Sequence, residues 1–516
     1  MNRRDSRDIG DDSNKDKDAH NQFEVMLPGR TFSHRRKASL VLADDQRLPD
    51  HRPDEETACF VHSLIAGEGL TPAKLANIKF NKDKCKLETD IVHESAFHDV
   101  DIAIEEDEDE DEDEERNKDR NKENRARSKS PAQSEVESRH LTKKQLSDMA
   151  WNVRNLSKKL DNIRLRLTVK TIFLVTKAGD ETIVDATREV TKWLLDPEAR
   201  GTEYVLYLEN KLQVDPEFNY DQLVKDNPSI KGRLKFWDVK LASEQAHMFD
   251  FVIALGGDGT VLYTSWLFQH IVPPVLSFAM GSLGFLTKFD FNDYKNILDS
   301  VINDGVLVSL RLRFECTIMR SNPHKAETPA SKKQRDLVEE LIGDETDGTL
   351  SHRPDSVVHI LNDLVVDRGP NPTMSSIELF GGDEHFTTLQ ADGVCISTPT
   401  GSTAYNMAAG GSLSHPDNPV ILITAICAHT LSFRPIILPD TVVLRVGVPY
   451  DARTSSWASF DGRQRVELLP GDYVTVSASR YPFANVLPHG GRGDDWMHSL
   501  SKTLNWNKRQ RQKAMK

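Results

Sequence analysis

Apolar and polar residues follow two different patterns along this chain, and the change falls near residue 309. Between residues 141 and 308, short apolar runs typical of buried strands alternate with longer segments whose apolar positions recur every three or four residues. Strands and helices in alternation predict a parallel sheet with crossover helices. From residue 309 onward the runs are short, β-branched and broken by turn residues, which predicts a second, mostly antiparallel domain.

The first domain, predicted over residues 141–308, begins with an amphipathic stripe that fits one face of a helix. Its apolar positions are Leu146, Met149, Val153, Leu156, Leu160 and Ile163. We expect this helix to pack on the folded body or on a partner subunit. Strands are then predicted at residues 171–175, 204–208, 250–255 and 275–278, and a helix carrying Ile183, Val190 and Leu194 is predicted after the first of them.

The second domain, predicted over residues 309–483, contains a series of short strands. They are expected at residues 310–319, 357–366, 375–379, 393–397, 441–448 and 473–478. The polar interval 321–355 interrupts the series and is predicted to be an insertion loop. In the last segment, 484–516, Trp496, Leu500, Leu504 and Trp506 indicate a helix that packs back on the body, and the basic tail after it is expected to be solvated rather than bound to nucleic acid.

Composition separates the first 140 residues from the rest. They hold few aromatic residues and an unbroken acidic run at 105–115, which supplies most of the net charge of -14. Such a segment cannot bury enough apolar surface to fold, so we predict a disordered acidic extension, either simply solvated or available to regulatory partners.

The cysteines and the lack of long apolar runs narrow the class of protein further. The five cysteines lie far apart without a Cys-x-x-Cys pair, so neither a zinc site nor a disulfide framework is indicated. No apolar run is long enough for a membrane span, and the N-terminus lacks the apolar core of a signal peptide. We therefore expect a cytoplasmic protein without a membrane partner.

A glycine-rich turn follows the predicted strand at 250–255 and leads into a helix-like segment. Gly256, Gly257, Asp258, Gly259 and Thr260 make up this turn. A strand that delivers glycines to a helix N-terminus leaves backbone N–H groups free to bind phosphate oxygens, and the carboxylate of Asp258 could then be a base or a magnesium ligand. The same five residues also fit a surface hairpin. Their spacing matches neither the P-loop motif nor the dinucleotide-binding motif.

A second string, at residues 391–411, again passes from a strand through a turn into a helix start. Within it, Ser402 and Thr403 can cap the helix or offer hydroxyl groups to a ligand. Taken with the turn at 256–260 and with Leu-Gly-Phe-Leu at 283–286, Asn-Asp at 362–363, Phe-Arg-Pro at 433–435 and Phe-Asp-Gly at 460–462, it resembles the ATP-dependent NAD kinases. These motifs occur in the family's order, and the long acidic extension favours a fungal member.

The resemblance implies an α/β domain of the doubly wound, Gly-Gly-Asp-Gly type followed by a β-rich domain, with the substrate held between them. It implies transfer of the terminal phosphoryl group of ATP, with Mg²⁺, to the 2′-hydroxyl of the adenosine ribose of NAD or NADH, in a homo-oligomer. Asp258 would be the general base, and Gly256, Gly257, Gly259 and Thr260 would form the phosphate-binding turn.

The other residues carried over by the resemblance concern the substrate. Asn362 and Asp363 match the family's Asn-Glu pair, although the aspartate is one methylene shorter. Asp392 is expected near the nicotinamide ribose, where Ala391 replaces the glycine that usually precedes it. The remaining substrate candidates are Phe285, Ser402, Thr403, Ala404, Tyr405, His429, Arg434, Asp461 and Gly462. Arg434 would either neutralise phosphate or form a structural ion pair.

Two other classes of protein share part of this pattern. A lipid or sphingoid kinase would use the Gly-Gly-Asp-Gly turn without any need for Thr403 or Tyr405. A non-catalytic dinucleotide-binding sensor would keep the dinucleotide motifs and recruit partners through its acidic extension. Only a kinase acting on the dinucleotide needs both Asp258 and the second string.

Overall fold

The computed structural model describes residues 78–81, 86–89, 169–177, 181–196, 204–270, 272–322, 335–342, 351–488 and 494–505, together with some positions between 146 and 167. The predicted extension 1–140 lies outside this part of the chain except for one antiparallel strand pair, β1 (Ile78–Asn81) with β2 (Lys86–Thr89).

A parallel sheet forms the centre of the α/β domain. Its strands are β3 (Thr171–Thr176), β4 (Val205–Glu209), β5 (Leu234–Trp237), β6 (Phe251–Gly256), β7 (Val275–Ala279), the short β8 (Phe289–Asp290) and β9 (Leu307–Arg311), with β22 (Phe483–Leu487) returning from the C-terminal end of the chain. The order is β5-β4-β3-β6-β7-β22-β9. The five strands from β5 to β7 are parallel, β22 lies parallel to β7, and β9 is antiparallel to β22.

Helices cover both faces of this sheet, because its central strands bury side chains in both directions. The helices are α1 (Glu181–Leu194), α2 (Tyr220–Asp226), α3 (Val239–Glu244), α4 (Asp258–Leu267) and α5 (Tyr294–Asn303). Ile172 and Ile253 belong to one apolar cluster with residues of α1, α2 and α5, whereas Phe173 and Val252 belong to a second cluster with residues of α3 and α4. The predicted doubly wound architecture is confirmed, and the strand order reverses between β3 and β6, the place where such sheets bind ligands.

The second domain is a sandwich of two antiparallel six-stranded sheets. The first sheet contains β11 (His352–Ile360), β10 (Phe314–Ser321), β21 (Tyr473–Ala478), β18 (Leu444–Gly447), β13 (Ser375–Gly381) and β14 (Glu384–Ala391), in that order. The second contains β17 (Ile436–Pro439), β16 (Val420–Ile426), β15 (Gly393–Ser397), β12 (Asp363–Asp367), β19 (Ser456–Phe460) and β20 (Gln464–Leu468). One buried cluster, with residues such as Ile318 and Val446 from the first sheet and Leu364 and Ile396 from the second, forms the core between them.

Two predicted strands are each broken by a corner. Residues 310–319 are divided between β9 and β10, with Leu312 and Arg313 between them, and residues 357–366 are divided between β11 and β12 at Leu361 and Asn362. Leu312 and Leu361 place an apolar residue within each corner, and buried apolar residues stand on either side of both, so the breaks do not appear in the hydrophobic pattern. The second corner carries β11 of one sheet into β12 of the other and places Asn362 at the turn.

Sheet membership also moves the domain limits. β9 crosses the predicted boundary at 308/309, and β22 starts at Phe483, one residue before the other predicted boundary, and lies within the α/β sheet. The predicted insertion loop 321–355 contains a helix, α6 (Leu337–Ile342), whose Leu337 and Leu341 are buried against Phe380 and Tyr473. That interval is therefore only partly loop.

Both ends of the folded body pack onto it. Of the amphipathic stripe, Leu146 is helical and buried in one cluster with Val443 and Ala478, and Arg154 donates to the carboxylate of Asp440 at 2.8 Å. The described part of the stripe thus contacts the β-rich domain of its own chain, whereas Met149, Leu156, Leu160 and Ile163 lie outside the described residues.

The predicted closing helix is present as α8 (Asp494–Leu504). Its Leu500 is buried, and the ring of its Trp496 lies 5.3 Å from the ring of His415. Trp506 and the basic tail lie outside the described residues. Within the described ranges, no helix is long and apolar enough to cross a membrane.

Candidate active site

The glycine-rich turn lies at the carboxyl end of β6, where it opens α4. β6 ends at Gly256, Gly257 is the extended N-cap residue, and Asp258 is the first helical residue. A Cβ atom at Gly256 would lie 2.1 Å from the hydroxyl oxygen of Thr260, so only glycine lets this threonine pack against the strand end. The surface-hairpin interpretation is therefore wrong: the segment is a strand–turn–helix at the switch point of a parallel sheet.

The carboxylate of Asp258 is held by the loop that follows β7. Oδ2 accepts a hydrogen bond from the backbone N–H of Phe285 at 2.8 Å. Oδ1 accepts from the N–H groups of Leu286 and Thr287 at 3.0 and 2.9 Å, and from the Thr287 hydroxyl at 3.0 Å. Gly284 permits this arrangement, because a Cβ atom there would lie 2.1 Å from Oδ1. Phe285 thus reaches the site through its backbone N–H.

The acceptor corner, defined here as Leu361, Asn362 and Asp363 between β11 and β12, is fixed by Asp461. One oxygen of the Asp461 carboxylate accepts from the N–H of Leu361 at 2.8 Å. The other accepts from the N–H groups of Asn362 and Asp363 at 2.7 and 3.1 Å. Asp461 was predicted to approach the ribose or the donor phosphate, but its carboxylate is engaged with the backbone of the acceptor corner.

The segment carrying Ser402 to Tyr405 packs directly on this corner. The Asn362 carbonyl accepts from the N–H of Thr398 at 2.9 Å, and a Cβ atom at Gly401 would lie 2.2 Å from the same carbonyl oxygen. A 3-10 turn, Thr400–Thr403, leads into the short helix α7 (Tyr405–Ala408). The predicted helix start is present, and the helix is short.

The polar side chains of this segment differ in their availability. Ser402 is buried, and its hydroxyl both donates to the carbonyl of Ser414 and accepts from the N–H of Ser414, each at 3.0 Å. Its hydroxyl is thus engaged with its own loop and does not cap the 3-10 turn or the helix that follows. Thr403 and Ala404 are partly exposed, and Tyr405 is 47% exposed, so these three residues present the accessible surface of the segment.

Asp363 is a buried carboxyl group beside this surface. It is 6% exposed, and burial, reinforced by the nearby charge of Asp461, raises its pKa to about 7. Burial also raises the pKa of Tyr405, with further contributions from neighbours that include Asp367 and Asp363. Asp363 and Asp367 start and end β12, and residues at even spacing along a strand share one face. Carboxyl groups from both ends of this face thus contribute to the raised pKa of Tyr405.

The remaining predicted residues lie along the loops at the other end of β15 and β16. Asp392 forms an ion pair with Arg368 at 2.9 Å. His429 is exposed, and its N–H donates to the carbonyl of Gln390 at 3.0 Å. The exposed guanidinium of Arg434 donates to the carbonyls of Leu431 and Phe433, so the ion-pair interpretation of this residue is replaced by backbone contacts within its own loop.

The two halves of the site meet at the domain junction. Leu361 shares one buried apolar cluster with Val261 of α4 and Leu286 of the loop that holds Asp258. In addition, Arg463 of the turn between β19 and β20 donates to the carbonyl of Gly259 at 3.3 Å. The glycine-rich turn at 256–260, called the phosphate turn below, and the acceptor corner are therefore packed against each other, although about 100 residues separate Asp258 from Asn362 in the sequence.

Sequence reasoning missed Thr287, Arg463 and Tyr263. Thr287 follows the Leu-Gly-Phe-Leu motif, and Arg463 follows Phe-Asp-Gly, so both stand next to a recognised motif. Adjacency to a motif is a weak signal, and only the contacts of the folded chain show which neighbours reach the site.

The protein groups alone do not form a metal cage here. Over the described ranges there is no cluster of three or more His, Cys, Asp or Glu side chains placed to hold a metal ion. Mg²⁺ is commonly bound by one or two carboxylates together with substrate phosphates, so a site of this kind would be completed by the nucleotide.

Comparison with known proteins identifies the family. Residues 172–306 match the model of the ATP-NAD kinase N-terminal domain, and residues 361–487 match that of the C-terminal domain. An uncharacterized kinase of Schizosaccharomyces pombe is 44% identical over 363 residues, which cover 70% of this chain and 86% of that protein. The NAD(+) kinase of Saccharomyces cerevisiae is 42% identical over 371 residues, covering 72% of this chain and 66% of that enzyme.

Two further relatives differ in the form of the dinucleotide that their names give. An ATP-NADH kinase of Saccharomyces cerevisiae is 39% identical over 366 residues, covering 71% of this chain and 70% of that enzyme. The crystal structure of yeast NADH kinase complexed with NADH superposes with a TM-score of 0.52 at 27% identity, covering 67% of this chain and 90% of that one. Together with the fold and the site, these matches show that the chain belongs to the ATP-NAD kinase family.

Proposed function

We propose that this protein transfers the terminal phosphoryl group of ATP to the 2′-hydroxyl of the adenosine ribose of NAD and so forms NADP. The observation that carries the proposal is the junction of the phosphate turn with the acceptor corner. A lipid kinase would need only the first of these two elements. The family membership and the relatives named for NAD and NADH support the same substrate class.

In the proposed reaction, Asp258 accepts the proton of the attacking hydroxyl. Oδ1 already accepts three hydrogen bonds and Oδ2 accepts only one, so Oδ2 retains lone-pair capacity for the ribose hydroxyl. The ribose oxygen bonds to the γ-phosphorus, the bond from that phosphorus to the bridging oxygen breaks, and ADP leaves. The loop at 284–287 orients the base, and the N–H groups at the start of α4 stabilise phosphate charge.

Acceptor binding is assigned to the face formed by the acceptor corner and the Thr403–Tyr405 surface. The ring of Tyr405 would offer apolar surface to the adenine, and its hydroxyl would give a polar contact. Asn362 and Asp363 would contact base and sugar, and Asp392 would lie near the nicotinamide ribose. Mg²⁺ would enter with ATP and supply charge neutralisation to the phosphates.

The proposal also covers the oligomeric state of the protein, its location in the cell and its choice between NAD and NADH as acceptor. We expect a homo-oligomer, on the strength of the family resemblance, and a location in the cytoplasm. Light scattering of the purified chain would test the first expectation, and cell fractionation would test the second. Because the relatives include enzymes named for NAD and for NADH, both forms are candidate acceptors.

The direct test is to incubate the purified protein with ATP and Mg²⁺ in parallel with NAD, NADH or diacylglycerol. We expect NADP or NADPH to form and diacylglycerol to remain unphosphorylated. Binding of NAD without 2′-phosphorylated product would favour a sensor, and phosphorylated lipid would favour the lipid kinase. Either result would contradict the proposal.

A further inference from the structure

The turn between β19 and β20 contacts both halves of the site through consecutive residues. Asp461 and Gly462 have positive φ values of 48° and 65°, and the N–H of Arg463 donates to the carbonyl of Phe460 at 2.9 Å. This tight turn points the Asp461 carboxylate at the acceptor corner. Two residues later, the Arg463 side chain reaches the α/β domain.

Arg463 makes two contacts with α4. Its Nη2 donates to the Gly259 carbonyl at 3.3 Å, and its guanidinium carbon lies 4.3 Å from the centre of the Tyr263 ring. Gly259 and Tyr263 are four residues apart and therefore lie on the same side of the helix, one turn apart. The planar guanidinium can stack on the ring and donate to the carbonyl at the same time.

The contact with Gly259 lies in the first turn of α4, one residue from Asp258, and the contact with Tyr263 lies one turn further along. A cation near a helix N-terminus gains nothing from the helix dipole, which favours anions there. The contacts with the ring and the carbonyl are therefore what hold Arg463 in this position. Any shift of the turn would be passed to the helix that carries the base.

We propose that Arg463 is a positioning residue for phosphoryl transfer, which fixes the acceptor corner relative to Asp258 by joining the β19–β20 turn to α4. The inference rests on the proposed function. Arg463 acts through Gly259 and Tyr263 rather than by touching the substrate. Its effect should therefore appear in the rate of the bound complex, since alignment of reacting groups governs the chemical step.

The test compares steady-state kinetics of the wild type, Arg463→Ala and Arg335→Ala. We expect Arg463→Ala to lower kcat about tenfold, because small misplacements of reacting groups are costly, while KM for ATP and NAD changes less than about twofold. Arg335 is the matched control: its guanidinium lies 4.2 Å from the centre of the Tyr450 ring, within the β-rich domain. Arg335→Ala should leave kcat unchanged.

Two more variants distinguish positioning from general destabilisation. Arg463→Lys, which keeps the charge and one donor, should recover part of kcat, and thermal unfolding should show similar midpoints for both Arg463 variants. If Arg463 acts through the ring, adding Tyr263→Leu to Arg463→Ala should cost little beyond the single change.

Three outcomes would overturn the inference. The first is an unchanged kcat in Arg463→Ala. The second is a rise in KM for ATP at constant kcat, which would show that Arg463 binds phosphate instead. The third is a fully additive loss of kcat in the double variant. A wild type that makes no 2′-phosphorylated product would overturn the proposed function itself. The two failures are therefore distinguishable.

Discussion

At the scale of single residues, Asp258 has two tasks. Its carboxylate is the proposed base, and it also accepts four hydrogen bonds from Phe285, Leu286 and Thr287. Residues that bind backbone groups this extensively cannot be replaced without some cost to the fold. An activity loss on mutation therefore has to be separated from a loss of loop structure.

We predict that Asp258→Asn lowers kcat by about 10²–10⁴-fold, the range for positioned base catalysis. It should also lower the free energy of unfolding by about 1–3 kcal/mol, because the asparagine NH₂ group cannot accept from a loop donor. NADP formation and urea unfolding measure the two effects.

Thr287→Val is the matched control for that prediction. It removes the hydroxyl that donates to Asp258 Oδ1 and accepts from the N–H of Gly284, but it leaves the carboxylate in place. We expect a comparable loss of stability with less than about a tenfold loss of kcat. Equal losses of kcat in the two variants would show that Asp258 is a clamp and not a base.

Asp363 makes stability depend on pH in a defined direction. Its pKa is raised from 3.8 to about 7 on folding, chiefly by burial. Between these two values the folded protein keeps a proton that the unfolded chain has lost, so the free energy of unfolding falls as pH rises through this window. The contribution of Asp363 to the free energy of unfolding is fully present below the pKa of the unfolded chain and is lost above the pKa of the folded protein.

We predict that Asp363→Asn removes this dependence. The free energy of unfolding of the variant, relative to that of the wild type, should therefore be higher at pH 8 than at pH 5. Urea unfolding at both pH values measures it. Asp367→Asn is the control on the same strand, because Asp367 is ion-paired with Arg465 at 2.9 Å; it should give no gain at pH 8. Parallel pH curves for the wild type and Asp363→Asn would refute the assignment.

At the scale of elements, the acceptor corner depends on one side chain from another hairpin. We predict that Asp461→Ala raises KM for NAD severalfold and lowers the free energy of unfolding by about 1–3 kcal/mol for each N–H left unpaired. Enzyme kinetics with NAD as the varied substrate and urea unfolding measure the change.

Asp472 provides a control of the same kind at a different corner. It is buried, and its carboxylate accepts from the N–H groups of Ser321 and Leu469 and from Arg320. Asp472→Ala should lose stability while KM for NAD stays unchanged. If both variants raise KM equally, the effect reflects general loosening rather than the acceptor corner.

Much of the fold follows from local pattern, and the limits of that pattern are physical. The buried run of β6 and the glycines after it predict a strand, a turn and a helix, and all three are present. The corner at Leu361 and Asn362 is not visible, since the nearby strand residues Ile360 and Leu364 are apolar and the turn is held by Asp461, about 100 positions away. Contacts of this range leave no periodic signature.

The same reasoning separates the candidate residues. Glycines 256 and 401 could be recognised from their motifs, and the structure gives each a close approach that requires glycine. Ser402 matched a substrate-binding position, yet its hydroxyl is engaged by Ser414. Whether a side chain faces the ligand or its own loop depends on packing that a single sequence does not encode locally.

At the scale of the whole molecule, a buried arginine joins the two domains. Arg313, between β9 and β10, is fully buried and donates to the carbonyls of Phe268, Gln269 and Tyr481 at 2.9, 2.7 and 2.6 Å. It therefore caps the C-terminal end of α4, the helix whose other end carries Asp258, and a cation is favourable at that end.

We predict that Arg313→Met lowers the free energy of unfolding by about 3–5 kcal/mol and also lowers kcat, because the capped carbonyls lose a charged donor and α4 loses its fixed position. Arg445→Met is the control. Arg445 is also buried, and it donates to the Gly382 carbonyl within the β-rich domain. Arg445→Met should lower the free energy of unfolding without lowering kcat of the folded fraction. A similar loss of kcat in both variants would contradict the proposed role of Arg313 at the domain junction.

The central claim is that the phosphate turn and the acceptor corner form one site for phosphoryl transfer to a 2′-hydroxyl. The most direct test is a single-turnover reaction with ATP labelled in the γ-phosphate, with NAD or with its 2′-deoxyadenosine analogue as acceptor. The account predicts label on the 2′-oxygen of NAD and no transfer to the analogue. Label at any other position, or equal transfer to the analogue, would contradict it.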